Sequence, residues 1–255
     1  MSILIDLSGR IALVTGASQG IGAAIARMLH RAGASVYLNH PDLGDGKTRL
    51  DAEAIASKLN SERLDSAWPI VADMSDATSV QAMMSTIQEK SKGLDILVNN
   101  AGILRDRSIA KMTLDQWGAV IDTNLSGVFH GCKYGLEIMN DGGSIVNLGS
   151  LSATAGFHGQ SNYAAAKAGV HALTKVLSRE VARRHIRVNA VAPGVIDTPL
   201  MAAVSEDVRA GMTRAIPLER FGTPDEVAAC VLFLASPLAS YVTGHILEIN
   251  GGWHG

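Results

Sequence analysis

Tyr163 and Lys167 stand four positions apart in the run Ser161-Asn162-Tyr163-Ala164-Ala165-Ala166-Lys167. On a helix that spacing puts both side chains on one face, one turn apart. An ammonium beside a phenol favours the phenolate, so the pair is expected to bring the tyrosine below its ordinary pKa of about 10. Moving it to near 7 takes roughly 4 kcal/mol, at about 1.4 kcal/mol per unit. A phenol tuned in this way exchanges a proton with an alcohol near neutral pH. Ser150, at the end of an apolar run upstream, adds a hydroxyl able to hydrogen-bond and orient a substrate oxygen.

A second constellation lies near the N-terminus: Thr15-Gly16-Ala17-Ser18-Gln19-Gly20-Ile21-Gly22. It separates the apolar run Ile11–Val14 from a helical pattern of Ile21, Ala24, Ile25, Met28 and Leu29 that stops at Gly33. Glycines between a strand and a helix let backbone approach a pyrophosphate, which the helix N-terminus stabilises. The two constellations together point to hydride transfer coupled to proton transfer.

These residues need a frame. Apolar runs expected as strands fall at 11–14, 35–38, 68–72, 94–98, 144–148, 186–191 and 246–249. Helical patterns fill most gaps, among them 51–59, 79–90, 114–139 and 163–181. Strict β/α alternation with apolar strands predicts a parallel sheet covered on both faces. The expected architecture is one doubly wound α/β domain over 1–255, of the Rossmann type, with about seven strands. The segment His40–Lys47 reads as a loop, and 199–221 reads as a lid over the substrate.

Composition narrows the function. Apolar residues make up 47%, and the formal net charge is −2 with mixed signs, so neither nucleic acid nor a membrane is an expected partner. The first residues lack a basic leader pattern, and the longest apolar run, Val227 to Ala235, is far short of a membrane span. Cys132 and Cys230 have no partner pattern, which suits reduced thiols in the cytoplasm, and no metal-ligand spacing occurs.

With the glycine segment, Asn99-Asn100-Ala101-Gly102, Asn124, Ser150 and Tyr163-x-x-x-Lys167 in this order, the whole chain resembles the short-chain dehydrogenase/reductase family. Pro193-Gly194, Thr198 and Asn250-Gly251-Gly252 extend the likeness. The resemblance implies Tyr163 as general acid/base, Ser150 as the group orienting the substrate oxygen, and Lys167 as holder of the nicotinamide ribose. It implies that Asn124 anchors a proton-relaying water. Cofactor contacts are implied for Gly16, Ser18, Gln19, Gly20, Ile21 and Gly22, for Asn100, Ala101 and Gly102, and for Asp73 and Met74 near the adenine. Pro193, Gly194, Ile196 and Thr198 would position the nicotinamide amide. A homotetramer is also implied, with the small face Ala164, Ala165 and Ala168 and the region ending in Trp253 as contact surfaces.

Two departures stand out. Gly149 precedes Ser150 where the family often has a second serine. The acid expected at the end of strand two is displaced, since His40 and Pro41 come before Asp42. Position 19 is Gln and no Arg or Lys occupies 39–42, so a 2′-phosphate finds no cation; NAD is expected, with NADP as the alternative. The expected substrate is a small secondary alcohol or ketone, between apolar walls such as Leu151, Phe157 and Leu200. The alternatives are a 3-oxoacyl thioester or, without turnover, a dinucleotide-binding role. An enoyl reductase is disfavoured, because that branch spaces tyrosine and lysine by seven and position 160 is Gln.

Overall fold

The computed structural model describes residues 5–42, 44–199, 201 and 204–255. Seven strands, β1 (Ile11–Val14), β2 (Ser35–His40), β3 (Ala67–Val71), β4 (Leu94–Asn99), β5 (Met139–Leu148), β6 (Arg187–Pro193) and β7 (Ile246–Ile249), form one parallel sheet. Their spatial order is β3-β2-β1-β4-β5-β6-β7. The order reverses between β1 and β4, and a cleft for a ligand belongs at the C-terminal ends of strands flanking such a switch. Pro69 lies in β3, an edge strand, where a missing N–H costs no ladder bond.

Helices cover both faces because the central strands are apolar on both. On one face α1 (Gly20–Arg31), α2 (Lys47–Glu62) and α9 (Pro224–Ala235) enclose a core that includes Ala12, Val14, Val36, Val98 and Val146. On the other, α3 (Ala77–Ser91), α5 (Gly127–Ile138) and α7 (Ser161–Glu180) enclose Leu13, Tyr37, Leu97, Ile145 and Val188. The alternating inward residues of each strand thus serve two cores.

Three expectations change. The loop expected over His40–Lys47 shrinks to 41–46, because β2 runs on to His40 and α2 starts at Lys47. The single helix expected over 114–139 is three pieces: α4 (Leu114–Ile121), a π turn (Asp122–Ser126) and α5. The break surrounds Asn124, whose amide is recruited by a neighbouring loop. Strand five begins at Met139 and not at Ser144, because Met139 already pairs with Leu94 of β4, and residues 140–143 fill a register shift before Ser144 pairs with Ile96. Among the described residues the remaining α-helices are α6 (Ser152–Ala155) and α8 (Glu206–Ala215). The latter lies in the expected lid, of which Leu200, Ala202 and Ala203 fall outside the described residues.

Candidate active site

The glycine turn is shaped by close contacts. Gly16 and Gly20 adopt φ +61° and +55°, which side chains with a Cβ rarely tolerate. A Cβ on Gly22 would lie 2.3 Å from the Gly16 carbonyl oxygen and 2.4 Å from Asn100 Nδ2. The turn is pinned from two strands. Thr15 Oγ1 accepts from the N–H groups of Asn100 (2.9 Å) and Ala101 (3.0 Å), while Asn100 Nδ2 donates to the Thr15 and Gly16 carbonyls. Asn39, buried at the end of β2, accepts from Gly16 N through Oδ1 (3.1 Å) and from Ala17 N through its carbonyl.

Helix α1 then starts without a side-chain cap from Gln19 and with no acid in its first turn. By contrast, Asp76 caps α3 and Thr223 caps α9. Uncapped N–H groups behind a glycine-rich turn fit a dinucleotide pyrophosphate. Thr198, in the loop after β6, places its methyl 3.8 Å from where a Cβ of Gly20 would stand, so that loop reaches over the turn.

Other residues expected at the cofactor are already engaged. Asn100 spends its amide on the turn itself. Met74 and Ile196 are buried in the two cores with their side chains. Asp73 accepts from the N–H and hydroxyl of Ser75. At the end of β2, His40 is buried with Nδ1 3.1 Å from the Pro41 carbonyl oxygen, and exposed Asp42 accepts from Gly44 N. Lys47 and Arg49, the nearest cations further on, pair with Asp51 and Glu53 along α2.

The four catalytic candidates sit beyond β4 and β5. Ser150 follows β5 and is 9% exposed; its Oγ accepts from Ser152 N (3.1 Å) and lies 3.2 Å from Ser152 Oγ. Tyr163 and Lys167 rise from α7 on one face, with Lys167 Nζ 5.6 Å from the phenol ring centre. Lys167 is 3% exposed, and its Nζ donates to the Leu148 carbonyl at 2.6 Å. Burial lowers its pKa from 10.5 to about 8. Asn124 is fully buried, with Oδ1 accepting from Ile103 N (2.8 Å) and Nδ2 donating to the Ile103 carbonyl (2.9 Å). Its side chain clamps the loop after β4, and the π turn that carries it is of a kind often found at functional sites.

The tyrosine corrects an expectation. Burial pushes the Tyr163 phenol above its ordinary 10 in the free chain. The Ser150 hydroxyl works the other way, and the Asp106 carboxylate raises it further. The Lys167 ammonium is turned to the Leu148 carbonyl, so spacing by four puts the pair on one face without by itself lowering the phenol. Desolvation wins over a cation that is not in hydrogen-bond reach.

Several supporting contacts are not visible in the sequence. Ser152 Oγ donates to Gln160 Oε1 (2.8 Å), and Gln160 Nε2 donates to Asp106 Oδ2 (2.9 Å), which continues the line from Ser150 to the surface loop. Asn162 is buried; its Nδ2 bonds the Arg105 and Gln116 carbonyls and its Oδ1 accepts from Tyr163 N. Asn99 Nδ2 donates to Asn147 Oδ1 (2.8 Å), and Asn147 Nδ2 to Thr174 Oγ1 (3.0 Å), tying β4 and β5 to α7. The available signal was polar residues, Asn39, Asn99 and Asn147, set among apolar strand residues. Phe157 does not stand alone as a wall, since Trp253 packs on it with ring centres 5.0 Å apart. Ala165 and Ala168 are exposed on α7, not packed on the sheet. A cavity of about 440 Å³ between the α8–α9 connection and β7, lined by Val195, Ile216, Leu218, Arg220 and Glu248, contains none of the four catalytic candidates.

A switch-point cleft with a glycine cradle on one side and a Ser-Tyr-Lys cluster on the other defines a dinucleotide-binding α/β protein equipped for proton transfer. Comparison with known proteins agrees. The sequence model of the family described as Enoyl-(Acyl carrier protein) reductase matches residues 16–254. The 3-oxoacyl-[acyl-carrier-protein] reductase FabG of Vibrio harveyi is 43% identical over 251 residues, spanning 98% of this chain and 99% of that protein. Its counterpart in Escherichia coli K12 is 42% identical over the same share of each chain. Among solved structures, a short-chain dehydrogenase/reductase from Brucella melitensis (SDR: glucose/ribitol dehydrogenase) superposes with a TM-score of 0.91 at 36% identity, over 98% of both chains. A blue fluorescent protein from a metagenomic library, in complex with NADPH, gives 0.92 at 33% identity over 98% of this chain and all of that one. The chain belongs to the short-chain dehydrogenase/reductase family, and it is an oxidoreductase that binds a nicotinamide cofactor.

Proposed function

We propose that this enzyme interconverts a 3-oxoacyl thioester and the corresponding 3-hydroxyacyl thioester, with NAD(H) as hydride partner. The observation that carries the reaction type is the Ser150–Tyr163–Lys167 cluster on the ends of β5 and α7, beside the glycine cradle. Full-length relatives at 42–43% identity that bear the name 3-oxoacyl-[acyl-carrier-protein] reductase support the thioester over a simple alcohol or ketone. Exposed Arg105, Arg107 and Lys111 on the loop after β4 supply cations for an acidic carrier or its phosphate. Arg107 N bonds the Gly159 carbonyl, so that loop borders the segment leading into Tyr163.

In this reading Ser150 donates to the substrate carbonyl oxygen and fixes its direction. Tyr163 passes its phenolic proton to that oxygen on reduction and recovers it on oxidation. Lys167 would hold the ribose hydroxyls and, together with the positive ring of the oxidised cofactor, favour the phenolate that remains. Asn124 keeps the Gly102–Ile103 backbone against the cradle, and the line Ser150–Ser152–Gln160–Asp106 keeps the serine aimed. The nicotinamide, when bound, supplies or accepts the hydride. The segment 199–221 would close over the substrate.

For the cofactor, the reading of NAD(H) is supported by the surroundings of the β2 end. Lys47 and Arg49 are paired along α2, position 19 is Gln, and Asp42 is exposed at the end of β2, which together favour a ribose hydroxyl over a 2′-phosphate. The relative bound to NADPH is a reason to measure both. The reading extends to a cytoplasmic homotetramer built through the exposed small and apolar residues of α4, α5 and α7, including Trp117, Phe129, Ala165 and Ala168. Light scattering should then give about four times the 26.7 kDa chain mass.

The test follows nicotinamide absorbance with acetoacetyl thioester, crotonyl thioester and simple secondary ketones, each with NADH and NADPH. Turnover of the 3-oxo thioester with NADH well above the ketones is expected. Turnover of the crotonyl thioester alone would overturn the proposal in favour of an enoyl reductase, the description carried by the matching family.

A further inference from the structure

We infer that His171 and Gly149 form a matched pair that positions Ser150 and Lys167, which makes His171 a positioning residue for the reaction. The inference rests on the roles proposed for Ser150, Tyr163 and Lys167. Tyr163, Lys167 and His171 follow one another by four along α7 and share a face. That face docks on three consecutive residues at the end of β5, Leu148, Gly149 and Ser150, almost in register. Lys167 Nζ bonds the Leu148 carbonyl, and the His171 ring lies against Gly149. The third residue, Ser150, carries the hydroxyl.

The fit at Gly149 is close. A Cβ built there would stand 2.2 Å from His171 Nε2, 2.7 Å from Cδ2 and 3.1 Å from the Val191 carbonyl oxygen. The imidazole therefore occupies the space of the side chain that residue 149 lacks. Gly149 N still bonds the Val191 carbonyl at 2.8 Å, so the loop stays anchored to β6 while the ring supports its other side. His171 Nε2 is buried and has no hydrogen-bond partner among the described residues. A polar atom left unpaired is costly, so polar bonding does not explain the ring; its shape does. The charged groups facing it are Lys167 and Lys175 from α7 and Glu248 from β7. Burial first, then the two lysines, disfavour its protonated form, so the ring adds no second cation beside Lys167.

The test is a cycle of Gly149→Ser, His171→Ala and the double variant, read as kcat, KM and cofactor affinity by fluorescence titration. Gly149→Ser should lower kcat between about tenfold and a hundredfold, the scale of a small misplacement of reacting groups, with cofactor affinity within about threefold. Combining it with His171→Ala should return kcat to the level of His171→Ala alone. Multiplying losses would overturn the pairing. If Gly149→Ser does not fold, His171→Leu against His171→Ala decides. A filling role keeps kcat in the leucine variant and loses it in the alanine variant, and equal loss in both overturns it. Tyr163→Phe run in parallel separates the two ideas, because an active Tyr163→Phe refutes the proposed catalytic roles whatever the cycle shows.

Discussion

The strand ends after β5 and after β2 face the same cleft but are built in opposite ways. After β5 the candidate groups are held from several sides: buried Lys167 by the Leu148 carbonyl, buried Ser150 by Ser152, and half-buried Tyr163 by the Asn162 contact to its backbone. After β2 Asp42, the residue proposed to discriminate between cofactors, is exposed and, among the described residues, accepts only from Gly44 N of its own loop. Proton transfer needs groups within a few tenths of an ångström of their working positions, and burial with bonded neighbours supplies that. Choice between ribose and phosphate needs only a charge of the right sign in reach, which a surface loop supplies and alters easily. Substitutions should therefore have large effects at the first site and small ones at the second.

The sharpest break in that contrast is Tyr163→Phe. It should cut turnover by about 10²–10⁴-fold, the range for loss of a positioned acid/base, with cofactor affinity nearly unchanged. Activity above about a tenth of wild type would remove Tyr163 from its role.

Lys167 should show both halves of a trade-off. Lys167→Met should lower kcat and weaken cofactor binding, yet raise the melting midpoint of the free protein at pH 7 by a few degrees. The sign follows from the depressed value: the folded lysine gives up its proton above about 8, the unfolded one only near 10.5. Between those limits the unfolded chain binds more protons, so this group's contribution to stability rises with pH there. Below about 8 the buried charge costs its full penalty. A melting midpoint that falls in the methionine variant would mean the Leu148 carbonyl bond outweighs burial.

At the second site the expected effects are smaller. NAD(H) should be preferred by at least about fivefold in kcat/KM, equivalent to about 1 kcal/mol for an exposed charge contact. Asp42→Ala should narrow that ratio, and kinetics unchanged by it would show that the carboxylate serves only the turn with Gly44. The smallest signal is spectroscopic. The phenolate absorbance lost on Tyr163→Phe should titrate above 10 in the free protein, since burial dominates there. A midpoint near 7 without cofactor would restore the simple reading that Lys167 alone tunes the phenol.

Much of the first site could be read from residue type and spacing. Lys167 four after Tyr163, Ser150 at a strand end and the three glycines required only helix and strand periodicity. What could not be read was the direction of the Tyr163 shift, because it depends on how deeply the phenol is enclosed and on where the Lys167 ammonium is turned. Nor could the π turn at Asn124, which forms because the Ile103 backbone, distant in sequence, takes both ends of its amide. Asn39, Asn147 and Asn162 resembled ordinary polar interruptions, and their partners lie tens of residues away.

By itself the sequence determined the alternating α/β order, the glycine turn and the placing of Tyr163 and Lys167 on one helix face, since each follows from local periodicity or from a conformation only glycine adopts readily. The tertiary structure decided which groups are buried, which amides are spent on backbone and which cations are already paired. Those outcomes are sums over neighbours that chain order does not reveal, and desolvation or one hydrogen bond is enough to reverse the sign of a charge effect.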